Sequence, residues 1–530
     1  MRPHDKLKVF ATLLALVLAV FAGCSSKPTD TTDTDPTAPQ RGGTLRFATI
    51  GEPPTLDMMA TTLTVSVDVT SNIYEGLFTL DSHFLPQPML AQTVKTEDQG
   101  LRWVITLRKG VLFHNGQEMT SDDVVASLNR WGKRTSGGHT LFQNLAKLDA
   151  PDRYSIVIRL KRPMSIVANL LAVRPGFAAI YPKSVIDAAG DGETRQYIGT
   201  GPYRFVSWRP NQFIELARFD NYQSRPEPAD GMAGRRVAYM DKVHFIAVPE
   251  IQQRLQGVQT GLYDFASSIS PDLYAGIQSI ASIETMIVKP SFYPVIVFNK
   301  QQGIFRDIKM RQVMQVATGF QTMLQAAFGA PAFFRLDPSL NFKETKWWSD
   351  AGKTLYNQNN PALARQLLQA AGYRGQTIRI LTTYEYDYLN KIAVVLKSQM
   401  EAIGMTASIA ALDAATAQSR AKDPAAYDIY ITSFLNFNDP GATSYWDETS
   451  SLSGLWVSPR KESLLQQIAT ESDDKKRLGL VSQFQQFWYE DVPMLKVGDG
   501  FTLRIWGRKV HGPGLTNSPL FYQYNNWLSK

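Results

Sequence analysis

From residue 360 to residue 433 the chain alternates helical and extended periodicity in a fixed order, and few folds accept that order. Asn360-Pro361 is an N-cap followed by a first-turn proline, and Gly372 sits where the helix should close. Residues 377–383 read as a strand. Leu389, Ile392, Leu396, Met400 and Ile403 then mark one helical face that stops at Gly404. Residues 405–412 predict a second strand, 413–420 a short helix and 427–433 a third strand. Strands separated by helices need crossover connections, so the pattern implies a mostly parallel sheet in an α/β fold.

That topology also indicates where a ligand would sit, because ligands of open α/β sheets bind outside the carboxyl ends of the strands. The two loops leaving those ends read Tyr384-Glu385-Tyr386-Asp387-Tyr388 and Phe434-Leu435-Asn436-Phe437-Asn438-Asp439-Pro440. Both mix aromatic rings with carboxylates or amides, as a selective site for an organic ligand does. With 10 Trp, 21 Tyr and 27 Phe, the chain has rings enough for both a core and a binding cleft.

The first half is less regular. Residues 44–50 predict a strand, followed by a proline-containing loop through Asp57. Val65, Val69, Ile73 and Leu77 recur at helical spacing. Trp103, Ile105 and Leu107 alternate with polar residues, as do Ile156, Ile158 and Leu160, so both segments predict half-buried strands. Between them Thr120-Ser121-Asp122-Asp123 has capping-box spacing and opens a helix through Trp131.

The N-terminus carries a different message. A short basic head precedes an apolar run over 9–22, which falls short of the ~20 residues a spanning helix needs and describes a secretory signal. Cys24, the only cysteine in 530 residues, follows Ala22-Gly23. The stretch resembles a bacterial lipobox, with Phe21 where leucine is usual, and implies lipidation of Cys24. One cysteine excludes a disulfide framework. Residues 25–42 hold no large apolar side chain and predict a disordered tether spanning roughly 23 Å. Lys and Arg are scattered along a chain of net charge +7, without the basic cluster that a nucleic-acid footprint needs.

Several stretches together resemble the extracellular solute-binding proteins of peptide-type ABC importers, the family of dipeptide, oligopeptide and nickel binders. The most specific runs from Trp103 to Leu128 and contains Leu107-Arg-Lys-Gly110, Phe113-His-Asn-Gly116 and Asp122-Asp-Val124. Pro54-Thr-Leu-Asp57, Tyr74-Glu-Gly-Leu77, Gly199-Thr-Gly-Pro-Tyr203, Arg218-Phe-Asp-Asn-Tyr222, Gln259-Thr-Gly-Leu-Tyr-Asp264 and Asp439-Pro440 occur before and after it in the order expected of the family. The resemblance implies a two-lobed periplasmic-binding-protein architecture with an inserted subdomain and a ligand cleft between the lobes. Mapped onto this chain, it gives a signal peptide over 1–23 and a tether over 24–42. Lobe I is 43–84 plus 199–290 plus 496–530, the inserted subdomain 85–198, and lobe II 291–495. Hinge crossings fall near 290–293 and 491–495.

The same resemblance implies a non-catalytic protein without a cofactor. It is exported to the periplasmic side of the envelope, anchored through Cys24, monomeric, and partnered by an inner-membrane permease and a peptide or related small organic solute. Expected ligand contacts are Asp57, Tyr74 and Glu75 on one lobe. On the other they are Tyr384, Tyr386, Phe434, Asn436, Phe437, Asp439 and Trp446. Peptide binders of the family hold the ligand's amino group with an Asp that aligns near Asn436 here, and the 384–388 loop has no Arg to clamp a carboxylate. Glu385 and Asp387 suit a cationic or polyhydroxylated solute instead. An opine, an oligosaccharide or a metal chelate is the alternative ligand, and a ligand-sensing receptor the alternative role. No metal site is expected, since the six histidines (4, 83, 114, 139, 244 and 511) avoid both loops. His114 should shape its turn. A secreted hydrolase is the alternative from another class, but the chain has no His-Glu-x-x-His, Gly-x-Ser-x-Gly, P-loop or Gly-x-Gly-x-x-Gly motif.

Overall fold

A computed structural model describes residues 38–172, 176–435, 439–443, 446, 454–512 and 522–529. The signal segment, Cys24, most of the tether, Asn436 and Phe437 lie outside the described residues. The folded body runs from Pro39 to Ser529. Gly42, the last residue of the predicted tether, already donates its N–H to the carbonyl of Tyr239 at 2.9 Å. Among the described residues, no helix is long and apolar enough to cross a membrane.

One large sheet organises the body. Its strands run in the order Thr406–Leu412, Thr377–Thr383, Ile429–Phe434, Ile283–Phe298, Asp499–Gly507, Phe265–Ile269, Thr44–Thr49, Lys242–Ala247, Phe213–Arg218 and Tyr203–Arg209. The alternating segment folds as its periodicity predicts. Strand Thr377–Thr383 pairs in parallel with Thr406–Leu412 and with Ile429–Phe434. Asn360 caps the helix Pro361–Ala370 by accepting the N–H of Leu363, and Gly372 follows with φ +74°. Asp413 caps Ala414–Arg420 in the same way.

The parallel character does not extend across the whole sheet. Ile429–Phe434 runs antiparallel to Ile283–Phe298, which is antiparallel to Asp499–Gly507. Parallel pairing resumes where Thr44–Thr49 lies between Lys242–Ala247 and Phe265–Ile269. The sheet is therefore mixed: two parallel sets joined by a central antiparallel pair. Ile283–Phe298 changes partners along its length. Residues 283–292 pair with Asp499–Gly507, whereas 293–298 pair with Ile429–Phe434 and Met494–Lys496.

Within 85–198, four strands form a separate antiparallel sheet, ordered Ala91–Glu97, Arg102–Leu107, Ser155–Leu160, Leu145–Asp152. The helix Ser121–Arg134 packs beside it. Its capping box holds, with the N–H of Thr120 donating to Asp123 Oδ2 at 2.8 Å. This sheet shares one continuous apolar core with the strands around Thr44–Thr49: Trp103, Ile105 and Ile158 belong to the same cluster as Phe47, Leu77 and Phe245.

The helix predicted from Val65 to Leu77 is shorter, ending at Thr70. Polar side chains end it by taking its last carbonyls: Thr70 bonds Ser66 O, Ser71 bonds Val67 O and Asn72 bonds Asp68 O. Such local bonds compete with the helix. Ile73 and Leu77 keep their buried positions in irregular backbone.

Candidate functional site

A cavity of about 200 Å³ lies at the carboxyl ends of the parallel strands from both sets. From one set it receives Thr62–Thr64 after the first strand, Ile251 after Lys242–Ala247, and residues 267–271 at the end of Phe265–Ile269. The other set supplies Thr383 with residues 385–389, then Ala414 and Gln418, then Thr432, Ser433 and Leu435. The central antiparallel pair contributes Ser291, Phe292 and residues 501–503. The strand-end rule thus operates on both sides of one cavity.

Its apolar wall is a cluster of rings. Tyr388 packs on Phe292 with centroids 4.7 Å apart and stacks on Phe328 at 5.6 Å. The Tyr388 hydroxyl is 2.8 Å from Ser433 Oγ. Burial raises the phenols of Tyr386 and Tyr388, keeping both neutral.

Two bonds join the two sides: Gln418 Nε2 donates to Thr62 Oγ1 at 2.9 Å, and Lys391 Nζ meets Asp272 at 2.5 Å. Glu385 also reaches across. Its Oε1 lies 3.1 Å from where a Cβ on Gly51 would stand, while Oε2 accepts the N–H of Ala414 at 2.8 Å. The half-buried Glu385 carboxyl is raised, chiefly by desolvation; the Ala414 N–H works against this and the Asp413 charge reinforces it.

The predicted contacts separate into groups. Tyr386 lines the cavity. Tyr384 is 57 % exposed, with its N–H bonded to Leu412 O, and is not among the lining residues. Phe434 and Trp446 are buried against each other at 6.3 Å, in a cluster that also holds Tyr293 and Phe484. Asp439 forms a buried ion pair with Arg477 and accepts the N–H of Gly441. Asn436 and Phe437 lie outside the described residues, next to the lining residue Leu435.

Asp57, Tyr74 and Glu75 serve the interior and do not reach the cavity. Asp57 is fully buried, 2.6 Å from Arg130, and also accepts the N–H of Thr194. Tyr74 packs on Tyr181 with centroids 4.7 Å apart. Glu75 accepts from Thr200 at 2.9 Å, Tyr222 at 2.8 Å and Arg236 at 3.1 Å. His114 holds a turn: Gly199 N–H donates to Nδ1, leaving Nε2 to donate to Gly201 O at 3.0 Å. Burial lowers this imidazole to about 4. Asp81, His83 and Asp230 approach metal-ligand spacing. Asp81 Oδ1 already accepts two backbone N–H groups, and none of the three is a residue lining the cavity.

Sequence reasoning missed residues 267–271, Thr62–Thr64 and Phe292. The strand-end rule would have found the first group had the strand at 265–269 been recognised.

The description "Bacterial extracellular solute-binding proteins, family 5 Middle" belongs to a family model that matches residues 86–453, well over half the chain. The chain belongs to this family. Full-length relatives agree. A probable peptide ABC transporter periplasmic-binding protein of Sinorhizobium fredii is 26% identical over 496 residues, covering 88% of this chain and 90% of the relative. The glutathione-binding protein GsiB of Salmonella paratyphi A is 25% identical over 462 residues, covering 83% and 86%. Two solved structures share the fold. The PBP AgaA in complex with agropinic acid, from A. tumefacien R10, has a TM-score of 0.81 at 22% identity, covering 92% of this chain and 99% of that one. The oligopeptide-binding protein AppA from Bacillus subtilis, in complex with a nonapeptide, has a TM-score of 0.80 at 22% identity, covering 93% and 100%. This family 5 protein thus has the two-lobed α/β architecture of periplasmic binding proteins, in a family of substrate-binding proteins rather than enzymes.

Proposed function

We infer that this family 5 protein captures a peptide or related small organic solute in the cavity described above and delivers it to an inner-membrane ABC permease. The observation that carries the reading is the cavity's double ancestry: the ends of both parallel sets line it, and bonds from Gln418 and Lys391 join its two sides. A solute touching both sides at once favours the closed arrangement over an open one by its differential contacts. The partner change in Ile283–Phe298, between 288 and 293, falls where the hinge crossing near 290–293 is expected and supports a pivot there. The lobe boundaries are then 43–84 plus 199–290 plus 496–530, and 291–495, with 85–198 inserted in the first. Lipid on Cys24 and the tether would keep a monomeric body beside its permease on the periplasmic side of the envelope.

The size of the cavity favours small members of the solute class. A cavity of about 150 Å³ holds benzene, so 200 Å³ suits a solute of amino-acid size. Tyr386 and Tyr388 would cover its apolar part. Asn436 and Phe437 remain candidate contacts beside Leu435.

Thermal-shift screening of the protein against dipeptides, opine-like amino acids, oligosaccharides and metal chelates tests the reading. A solute present at 100 times its Kd stabilises the protein by about 2.7 kcal/mol. Turnover of a peptide or glycoside, with no stabilising solute found, would refute it.

A further inference from the structure

We propose that the cavity selects a compact solute bearing a positive charge, with Glu385 as its counter-ion. The inference rests on the reading of this cavity as the solute site, and it comes from a count of the charges in and around it. Among the described residues, Asp68, Glu385 and Asp387 line the cavity, and no Lys, Arg or His does. Two of the three carboxylates already face cations. Asp387 is 2.8 Å from Lys391, which also binds Asp272, and the charge of Asp68 acts on the buried guanidinium of Arg504. Among the described residues, Glu385 forms no ion pair with Lys, Arg or His. Lys289 and Arg335 sit over the ring of Phe501 and are not lining residues.

The backbone does not supply the missing charge. Two helices begin at the cavity, Asp387–Ala402 and Ala414–Arg420, and each N-terminus carries about half a positive charge. Acidic groups already sit on both. Asp387 occupies the first turn of one, while Glu385 and Asp413 accept the N–H groups of Ala414 and Thr416 in the other. A bound carboxylate would therefore meet a surplus of negative charge beside apolar rings. An ammonium or guanidinium would find Glu385 without a cation partner among the described residues, at the boundary between the two sides, where closing desolvates it. Charge-assisted bonds in such a place are roughly twice as strong as neutral ones.

Gly51 marks the same geometry from the opposite side. A Cβ there would stand 3.1 Å from Glu385 Oε1, closer than all but a few real contacts, so the backbone at 51 lies directly against this carboxylate. Gly51 is not a lining residue, so this contact holds the carboxylate at the cavity's edge and leaves the solute's cation to meet it from the cavity side.

Matched probes of amino-acid size decide the matter: L-lysinamide, L-norleucinamide, L-glutamine and L-glutamate, titrated by calorimetry into the full chain and into Glu385→Gln. The proposal expects affinity in that order. It also expects Glu385→Gln, which keeps an acceptor for Ala414, to weaken L-lysinamide at least tenfold while leaving the melting temperature of the ligand-free protein unchanged or higher. Glutamate or glutamine binding as tightly as lysinamide overturns the proposal, as does equal lysinamide affinity in both proteins. Either result leaves solute capture standing. If glutathione or a neutral dipeptide binds and none of the four probes does, the charge and size inference also falls alone. If nothing binds, the capture reading falls with it.

Discussion

Glu75→Ala separates a structural carboxylate from a ligand contact. Glu75 and Arg236 are 1% and 2% exposed, and the Glu75 carboxylate also holds the hydroxyls of Thr200 and Tyr222. Truncating Glu75 strands the guanidinium in a medium that disfavours unpaired charge, a loss of about 3–5 kcal/mol for pairs of this kind. The folded body spans about 490 residues. At roughly 2.1 cal/mol/K of unfolding entropy per residue, that is about 1 kcal/mol per degree. The melting temperature should fall by about 3–5 °C if the body unfolds as one unit, and by more if the lobes unfold separately. Adding Arg236→Met removes the stranded charge and should restore at least half of the loss. Scanning calorimetry reads the stability and titration calorimetry the solute affinity, which should stay within twofold because Glu75 is absent from the cavity wall. A melting temperature within 1 °C of the parent, together with lost solute binding, would refute this assignment and make Glu75 the ligand contact that family resemblance implies.

Other perturbations follow from the same contacts. His114 is neutral when folded, with its imidazole lowered to about 4 against an unfolded value near 6.5. A depressed histidine favours the folded state above the unfolded value and loses that benefit as pH falls towards the folded one, so urea stability should drop by about 2 kcal/mol between pH 7 and pH 5. His114→Phe should flatten that part of the slope; an unchanged slope excludes this histidine as its source. Gly51→Ala should displace Glu385 by a few tenths of an ångström and weaken solute binding several-fold, with unfolding in urea nearly unaltered. Unaltered affinity would mean that Glu385 does not face the solute. Asp439→Ala should destabilise by about 3–5 kcal/mol, because it leaves Arg477 buried without its partner. A cost below 1 kcal/mol in denaturant unfolding would contradict that pairing.

The fold was legible wherever short-range periodicity decides structure. Asn360, Pro361, Gly372 and Asp413 mark helix ends through local chemistry, and the parallel trio of strands follows from their spacing. The central antiparallel pair was not legible, because Ile283–Phe298 and Asp499–Gly507 meet only through contacts across some 200 residues. In the candidate site, the strand-end rule pointed to the 384–388 loop, of which residues 385–388 line the cavity. Family motifs pointed instead to Asp57, Tyr74 and Glu75, whose partners are Arg130, Tyr181 and Arg236 within the interior. A carboxylate beside aromatic residues looks the same in sequence whether it awaits a ligand or is already paired. Distant arginines decide which, and no local pattern announces them.

The most direct test of solute capture between the two sides is amide hydrogen exchange with and without a saturating, stabilising solute. Backbone protection reports local opening at each segment separately. Capture in the cavity predicts that exchange slows together at 267–271 and at 383–389, on opposite sides of it. A solute that stabilises the protein yet protects only one of these segments, or neither, would contradict it.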